Sequence, residues 1–259
     1  MVHVKTFLSK VNSIILSYGS SMPYKYLLNK LQPSIKTVQI FQKLNSSIFK
    51  SYFTNDLVSL KQEWAKSVLN ILNIQVTVIG KPVHKGPLLL LGNHISYLDI
   101  PLLMSIVPEV SFLSKQEVKF WPVIGAATKR ANTIFVKRGS PNSRAKSKKI
   151  IEHSLDKKKS IIAAFPSGTT TLNEKTPWRY GLFETAFVRK TKIQPFRIRY
   201  APKRKVAFID DDQFLPHLTQ LTRLKKIHAV IEFHDPVDVH DPITCSQRWQ
   251  AWSKKGISK

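Results

Sequence analysis

The sequence predicts an α/β protein with a mostly parallel central sheet, flanked by helices and preceded by an N-terminal amphipathic helical extension. Three observations predict this fold. Apolar runs typical of buried strands alternate with a helical segment, 42% of the residues are hydrophobic, and 259 residues suffice for one α/β domain. We place the extension at residues 1–72 and the α/β domain at residues 73–259.

The start of the chain combines a helical apolar repeat with positive charge. Between Val4 and Tyr18, apolar residues recur every three or four positions, on one face of a helix. Through residue 66 the chain carries nine lysines but only two acidic residues, Asp56 and Glu63. Such a pattern resembles a helix in a membrane interface, and it also fits a helix packed on its own domain. We expect residues 1–72 to associate with a membrane.

A second helix and two strands follow. The helix is predicted between Asn55, which is placed to cap it, and Leu72. Its apolar residues recur at a spacing of three or four: Leu57, Leu60, Trp64, Val68 and Ile71. Alternation of apolar and polar residues then predicts a strand over 74–78, and turn residues separate it from a buried-type run at 87–91.

Two further apolar runs, 133–136 and 161–165, predict strands that are joined by a helix over the lysine-rich segment 143–159. The repeat of strand, helix and strand is typical of a parallel sheet, where ligands bind at the carboxyl ends of the strands. The polar residues that follow the apolar runs are His94, Arg138 and Ser167. We therefore expect a functional site where these strands end.

A histidine and an aspartate lie five positions apart in the segment Gly92-Asn-His-Ile-Ser-Tyr-Leu-Asp99. Because the chain must turn there from a strand into a helix, the two side chains can meet. An aspartate that accepts the Nδ1 proton fixes the tautomer and stabilises the imidazolium, which leaves Nε2 to take a proton from an attacking hydroxyl. The pair His94 and Asp99 is predicted to be a general base and its orienting partner.

This segment resembles the first motif of the glycerolipid acyltransferase family, which includes the 1-acylglycerol-3-phosphate acyltransferases. That motif is Asn-His, four residues and Asp, and Asn93, His94 and Asp99 match it. The other segments that resemble family motifs follow in order: 112–117, 121–125, 134–138, 165–169, 178–186 and 194–196.

The resemblance implies a fold and a reaction. His94 would deprotonate an acceptor hydroxyl for direct attack on an acyl thioester, and Asp99 would hold the imidazole. The donor would be acyl-CoA or acyl carrier protein, and the acceptor a lyso-lipid, lysophosphatidic acid-like or of another kind. No covalent acyl-enzyme, metal or other cofactor is implied. The product would enter phospholipid or membrane lipid biosynthesis.

Other residues of these motifs are predicted to contact the substrates: Asn93, Lys115, Lys137, Arg138, Ser167, Gly168 and Thr169. The resemblance implies that Arg138 binds the acceptor phosphate, with Lys137 beside it, while Lys115 would serve the carrier or the acceptor. The amides of Gly168 and Thr169 are candidate donors to the developing oxyanion. An ordinary turn has the same Pro-Ser-Gly-Thr composition, so both interpretations stay open.

The third motif departs from the family pattern at Ser167 and Thr170. The family usually has Glu after Phe-Pro, and often Arg or Ser after Gly-Thr. Loss of a carboxylate, and of a guanidinium where the family has Arg, weakens the expectation of a glycerol-phosphate acceptor and leaves another lyso-lipid or an amino-acid lipid open. Ser167 would then hydrogen-bond the acceptor head group. A hydrolase nucleophile at Ser167 is disfavoured, because the glycine expected before it is missing.

The formal net charge of +25 implies a polyanionic partner. The basic clusters lack interleaved aromatic residues, so an anionic membrane surface explains them more simply than a nucleic acid. The longest apolar runs are too short for a spanning helix, and we expect a peripheral protein on the cytoplasmic face of a membrane. A basic nucleic-acid-binding protein and a non-catalytic relative of the family are the alternatives.

Overall fold

The computed structural model describes residues 24–121, 123–137, 141–156 and 159–257. The helix predicted between Val4 and Tyr18 lies outside the described residues, and so does Arg138.

The sheet contains seven strands: β1 (Ile74–Ile79), β2 (Leu88–Gly92), β3 (Ser111–Lys115), β4 (Ile134–Val136), β5 (Ile161–Ala164), β6 (Ile193–Ala201) and β7 (Ile227–Phe233). The described helices are α1 (Tyr24–Lys50), α2 (Leu57–Ile71), α3 (Asp99–Ile106), α4 (Ile124–Arg130), α5 (Pro141–Asp156), α6 (Gly181–Val188), α7 (Lys203–Val206), α8 (Phe214–Leu221) and α9 (Pro242–Ile257), with a 3-10 turn at Gln116–Phe120.

The strands lie in the order β1-β7-β6-β2-β5-β3-β4. The five strands from β2 to β6 run parallel to one another, whereas β7 is antiparallel to β6 and β1 pairs in parallel with β7. The predicted mostly parallel sheet with flanking helices is confirmed. The strands predicted from the apolar runs correspond to β1, β2, β4 and β5, and the lysine-rich helix corresponds to α5.

The apolar strand β2 lies in the middle of the sheet and contributes to the core on both faces. Its side chains alternate between the two faces, as in any strand. Leu88 and Leu90 pack in one layer with α1, α2, α3 and α8, and Leu89 and Leu91 pack in the other with α5, α6 and α9. This double burial explains why the run is continuously apolar.

The N-terminal helices α1 and α2 pack against the sheet domain. The Thr222 hydroxyl, at the end of α8, donates to the Pro33 carbonyl in α1 at 3.0 Å. The cap of α2 is Asp56, whose carboxylate accepts the Ser59 amide at 3.0 Å. The predicted cap, Asn55, is therefore wrong by one residue.

Candidate active site

The carboxyl end of β2 comes very close to β6. A Cβ atom at Gly92 would lie 2.5 Å from both the ring and the carbonyl oxygen of Phe196. Only glycine fits there, and the close approach brings the next residue, Asn93, into contact with the β6 main chain.

Asn93 joins these two strands through its side-chain amide. Its Nδ2 donates to the Ile198 carbonyl at 2.8 Å, and its Oδ1 accepts the Ile198 amide at 2.7 Å. The side chain is fully buried and has both polar atoms engaged. The predicted substrate contact of Asn93 is therefore wrong, because this side chain has no surface to offer a ligand. We call this pair of bonds the Asn93 clasp.

The structure brings His94 and Asp99 together as the sequence predicts. His94 Nδ1 lies 2.7 Å from Asp99 Oδ2, and the same oxygen accepts the amides of Ile95 at 2.8 Å and Ser96 at 3.1 Å. A carboxylate only accepts, so Nδ1 carries the proton and Nε2 is left with a free lone pair. Asp99 is 0% exposed, whereas the His94 side chain is 19% exposed.

An aromatic ring fixes the plane of the imidazole. Phe165, just after β5, stacks on His94 with ring centroids 3.9 Å apart and planes 7° from parallel. The imidazole is therefore held at one nitrogen by a carboxylate and on one face by a ring, which leaves little rotational freedom around the geometry that a general base needs.

A cavity of about 810 Å³ opens beside His94. Much of its wall is apolar and comes from α1, α2, α3 and α8, including Ile40, Phe41, Val68, Met104 and Leu218. Its charged lining residues are Lys115, Lys137, Lys148, Arg179 and Glu184. The volume falls within the usual range of ligand sites, and a long apolar wall next to a charged rim suits a molecule with a hydrocarbon chain and a polar head.

The predicted binding residues divide between this cavity and the interior. Lys115 and Lys137 are exposed and line the same cavity as His94. The Gly168 amide donates to the Phe165 carbonyl at 2.9 Å and closes a turn, so it is already engaged. Thr169 lines the cavity, and within the described residues no acceptor is found for its amide, which makes it the better candidate oxyanion donor.

Ser167 does not reach the cavity. Its side chain is buried, and its hydroxyl donates to the Thr169 carbonyl at 2.9 Å. The predicted hydrogen bond from Ser167 to an acceptor head group is contradicted by this orientation, because the hydroxyl stabilises its own turn.

Glu174 is a buried carboxyl that the sequence analysis missed. It is fully buried, accepts a hydrogen bond from the Trp178 indole at Oε2, and has no partner for Oε1 within the described residues. Burial raises the pKa of Glu174 to about 7. The same loop contacts the base, since the Thr171 amide donates to the His94 carbonyl at 2.8 Å. Gln250 of α9 donates to the Glu174 carbonyl at 2.9 Å and holds the loop in place.

We expect the buried Glu174 carboxyl to make stability depend on pH. In the unfolded chain the pKa of Glu174 is near the ordinary glutamate value of 4.5, whereas in the folded protein burial raises this pKa to about 7. The contribution of this pKa difference to the free energy of unfolding is therefore fully present below pH 4.5. It is lost as the pH rises from 4.5 through 7, by about 3 kcal/mol in total. Glu174→Gln cannot ionise and should remove this loss, as urea unfolding across this pH range would show.

The exposed Glu63 on α2 provides the matched control. Glu63→Gln should leave the slope of unfolding free energy against pH as in the unmodified protein. Equal slopes for the Glu174→Gln variant and the unmodified protein would show that Glu174 ionises in the fold as readily as in water.

Across the described ranges, no group of three or more His, Cys, Asp or Glu residues could hold a metal ion.

Comparison with known proteins identifies the family of this chain. The family model described as Acyltransferase matches residues 73–199. The chain is 35% identical over 177 residues to a lyso-ornithine lipid O-acyltransferase of Pseudomonas aeruginosa, covering 65% of this chain and 67% of the relative. It is 29% identical over 178 residues to a 1-acyl-sn-glycerol-3-phosphate acyltransferase of Neisseria meningitidis, covering 66% and 69%.

A solved structure shares the fold. The crystal structure of the 1-acyl-sn-glycerophosphate (LPA) acyltransferase PlsC from Thermotoga maritima superposes with a TM-score of 0.58 at 16% identity, covering 87% of this chain and 96% of that one. The resemblance seen in the sequence motifs is confirmed, and this chain belongs to the glycerolipid acyltransferase family of enzymes.

Proposed function

We propose that this protein transfers a fatty acyl group from acyl-CoA or acyl carrier protein to the hydroxyl of a lyso-lipid. The observation that carries the proposal is the pair of His94 and Asp99 at the wall of a large, mostly apolar cavity. Membership of the family and the names of the relatives support the same reaction class.

The reaction needs only this pair and donors for the developing charge. Nε2 of His94 takes the proton of the acceptor hydroxyl, whose oxygen attacks the thioester carbonyl. The tetrahedral oxyanion is stabilised by donors such as the Thr169 amide. Collapse breaks the carbon–sulfur bond, and the imidazolium returns its proton to the departing thiolate. Neither a covalent acyl-enzyme nor a metal or other cofactor enters these steps.

The charged rim of the cavity suits the anionic parts of both substrates. Lys115 and Lys137 are exposed on the cavity wall, where their ammonium groups can contact the phosphates of a thioester carrier or the head group of an acceptor. Arg138, next in the sequence to Lys137, is proposed to bind the acceptor as well.

We favour an amino-acid lyso-lipid, such as lyso-ornithine lipid, as the acceptor. The carboxylate that the family usually has in its third motif is replaced by Ser167, whose hydroxyl is buried and directed at the main chain. Thr170, which lines the cavity, also carries no charge. The Pseudomonas aeruginosa relative with the same family membership is named for lyso-ornithine lipid, which supports this choice.

An acceptor panel tests both levels of the proposal. Purified protein would receive palmitoyl-CoA or palmitoyl acyl carrier protein with lyso-ornithine lipid, lysophosphatidic acid or lysophosphatidylethanolamine, and mass spectrometry would identify the products. We expect the fastest transfer to lyso-ornithine lipid. Transfer to lysophosphatidic acid alone would overturn the proposed acceptor. No transfer with any combination of donor and acceptor would favour a non-catalytic relative.

We also propose that residues 1–72 associate with the cytoplasmic face of an anionic membrane, as a peripheral contact that serves the acyltransferase domain at 73–259. Among the described residues, no helix is long and apolar enough to cross a membrane. Phe49 in the last turn of α1, and Tyr52 and Phe53 just after that helix, are exposed aromatic residues of the kind that lie at lipid interfaces. Flotation with anionic and neutral vesicles, against retention on duplex DNA at the same salt, separates lipid from nucleic acid.

A further inference from the structure

The Asp99 carboxylate has a donor that no sequence motif indicates. The hydroxyl of Tyr200, in β6, donates to Asp99 Oδ1 at 2.8 Å. The other oxygen, Oδ2, holds His94 Nδ1 and the amides of Ile95 and Ser96. Each oxygen of this fully buried carboxylate is thus bonded, and Tyr200 is the donor on the side away from His94.

We infer that Tyr200 is a positioning residue of the catalytic pair, whose hydroxyl bonds the Asp99 carboxylate and keeps it aimed at His94. This inference rests on the proposed role of His94 as the base. A buried carboxylate is costly unless donors surround it. In the part of the chain that the structure describes, Asp99 has no ion pair with Lys or Arg, so neutral donors such as Tyr200 must supply that stabilisation.

The position of Tyr200 follows from the strand that carries it. The Asn93 clasp fixes β6 against the end of β2 at Ile198, two residues before Tyr200. Residues two apart share a strand face, so Tyr200 points into the same core layer as Ile198, the layer that also contains α3. On the other side, Tyr200 pairs with Ala229 of β7. The sheet thus fixes the Tyr200 hydroxyl next to Asp99, the first residue of α3.

The Tyr200 hydroxyl is a permanent donor. Complete burial raises the pKa of this phenol well above its usual value, and the neighbouring charge of Asp99 raises it further. Tyr200 therefore keeps its proton throughout the pH range in which His94 acts, and it supplies a constant hydrogen bond.

Other titratable groups surround the pair: Glu174 in the loop against the His94 main chain, and on the cavity wall Tyr97, Lys115, Lys137, Arg179 and the Lys148–Glu184 ion pair. In the described structure none of these side chains bonds to Asp99, whereas the Tyr200 hydroxyl does. A change confined to the Tyr200 hydroxyl therefore reports on the Asp99 carboxylate.

The variant Tyr200→Phe removes that hydroxyl and keeps the ring. We expect kcat to fall about tenfold, the equivalent of one hydrogen bond to a charged group, while KM for donor and acceptor changes less than about twofold. The acid limb of the pH profile of kcat/KM should move to higher pH, because a carboxylate with one donor fewer holds the imidazolium more strongly.

A second variant should shift the acid limb in the opposite direction, and it keeps the inference testable if Tyr200→Phe does not fold. Tyr200→3-fluorotyrosine, introduced at that single codon, keeps the hydroxyl and makes it a stronger donor, so the acid limb should move to lower pH. The control is Thr222→Val, which deletes a buried hydroxyl that bonds the Pro33 and Thr219 carbonyls and neither member of the pair. It should lower Tm but leave kcat and the acid limb unchanged.

Opposite shifts of the acid limb in the two Tyr200 variants would support the inference. An acid limb unmoved in both, with or without a fall in kcat, would overturn it and leave Tyr200 a packing residue. Failure of the proposed function would give different results: either the unmodified protein would transfer no acyl group, or the His94→Ala variant would stay active.

Discussion

Replacement of His94 by alanine is expected to lower kcat for acyl transfer by about 10²–10⁴-fold, the usual contribution of a general base. The truncation removes Nε2, the atom left free at the cavity once Asp99 holds Nδ1. It does not touch the apolar cavity wall, so KM for either substrate should change little. Steady-state rates with acyl thioester and lyso-lipid would measure both parameters, and circular dichroism would check the fold.

Two further variants make the His94 result specific. His228 is exposed on β7, and His228→Ala should keep full activity. Ser167→Ala tests the hydrolase alternative and should also stay active, because that hydroxyl is buried in its own turn. Abolition of transfer by Ser167→Ala, together with an active His94→Ala, would instead identify a serine nucleophile.

Loss of the Asn93 clasp should produce the largest fall in stability. Asn93→Ala leaves the Ile198 amide and carbonyl buried without their partners, at about 1–3 kcal/mol each, so we expect the free energy of unfolding to fall by about 2–6 kcal/mol. Activity should fall as well, because the clasp sets the end of β2 from which His94 projects. Urea and thermal unfolding would measure the first effect.

The matched control for the clasp is Asn70→Ala, at an exposed position of α2. That change should alter stability by less than about 0.5 kcal/mol, as is usual for surface substitutions. A similarly small effect of Asn93→Ala would show that the Ile198 peptide groups find other partners, and it would return Asn93 to the candidates for substrate contact.

The elements of the sheet that the sequence predicted well are those with a strong local pattern. The buried run of β2 and the alternation of β1 are visible in a few residues. The cap of α2 was missed because Asn55 and Asp56 are both good capping residues, and only the backbone path shows which one reaches the Ser59 amide. The reversed direction of β7 was not predictable, since it depends on which distant strand becomes its neighbour.

The same distinction separates the predicted and missed parts of the site. His94 and Asp99 lie five positions apart, so a local turn unites them. Asn93 and Tyr200 act across 105 and 101 positions, through the pairing of β2 with β6, and that register left no signal in the sequence. Glu174 has no local sequence signal, because its burial depends on Trp178 and on Gln250 of α9.

The parallel stacking of Phe165 on His94 predicts a ring-current shift in the NMR spectrum of the His94 imidazole. The ring current of a phenylalanine shields protons that lie above its face, so the imidazole carbon-bound protons of His94 should resonate upfield. Of the described histidines, His94 is the one stacked flat on an aromatic ring, whereas His217 and His234 meet their neighbours edge-on. Proton NMR can therefore follow this one imidazole while a lipid analogue is titrated into the protein.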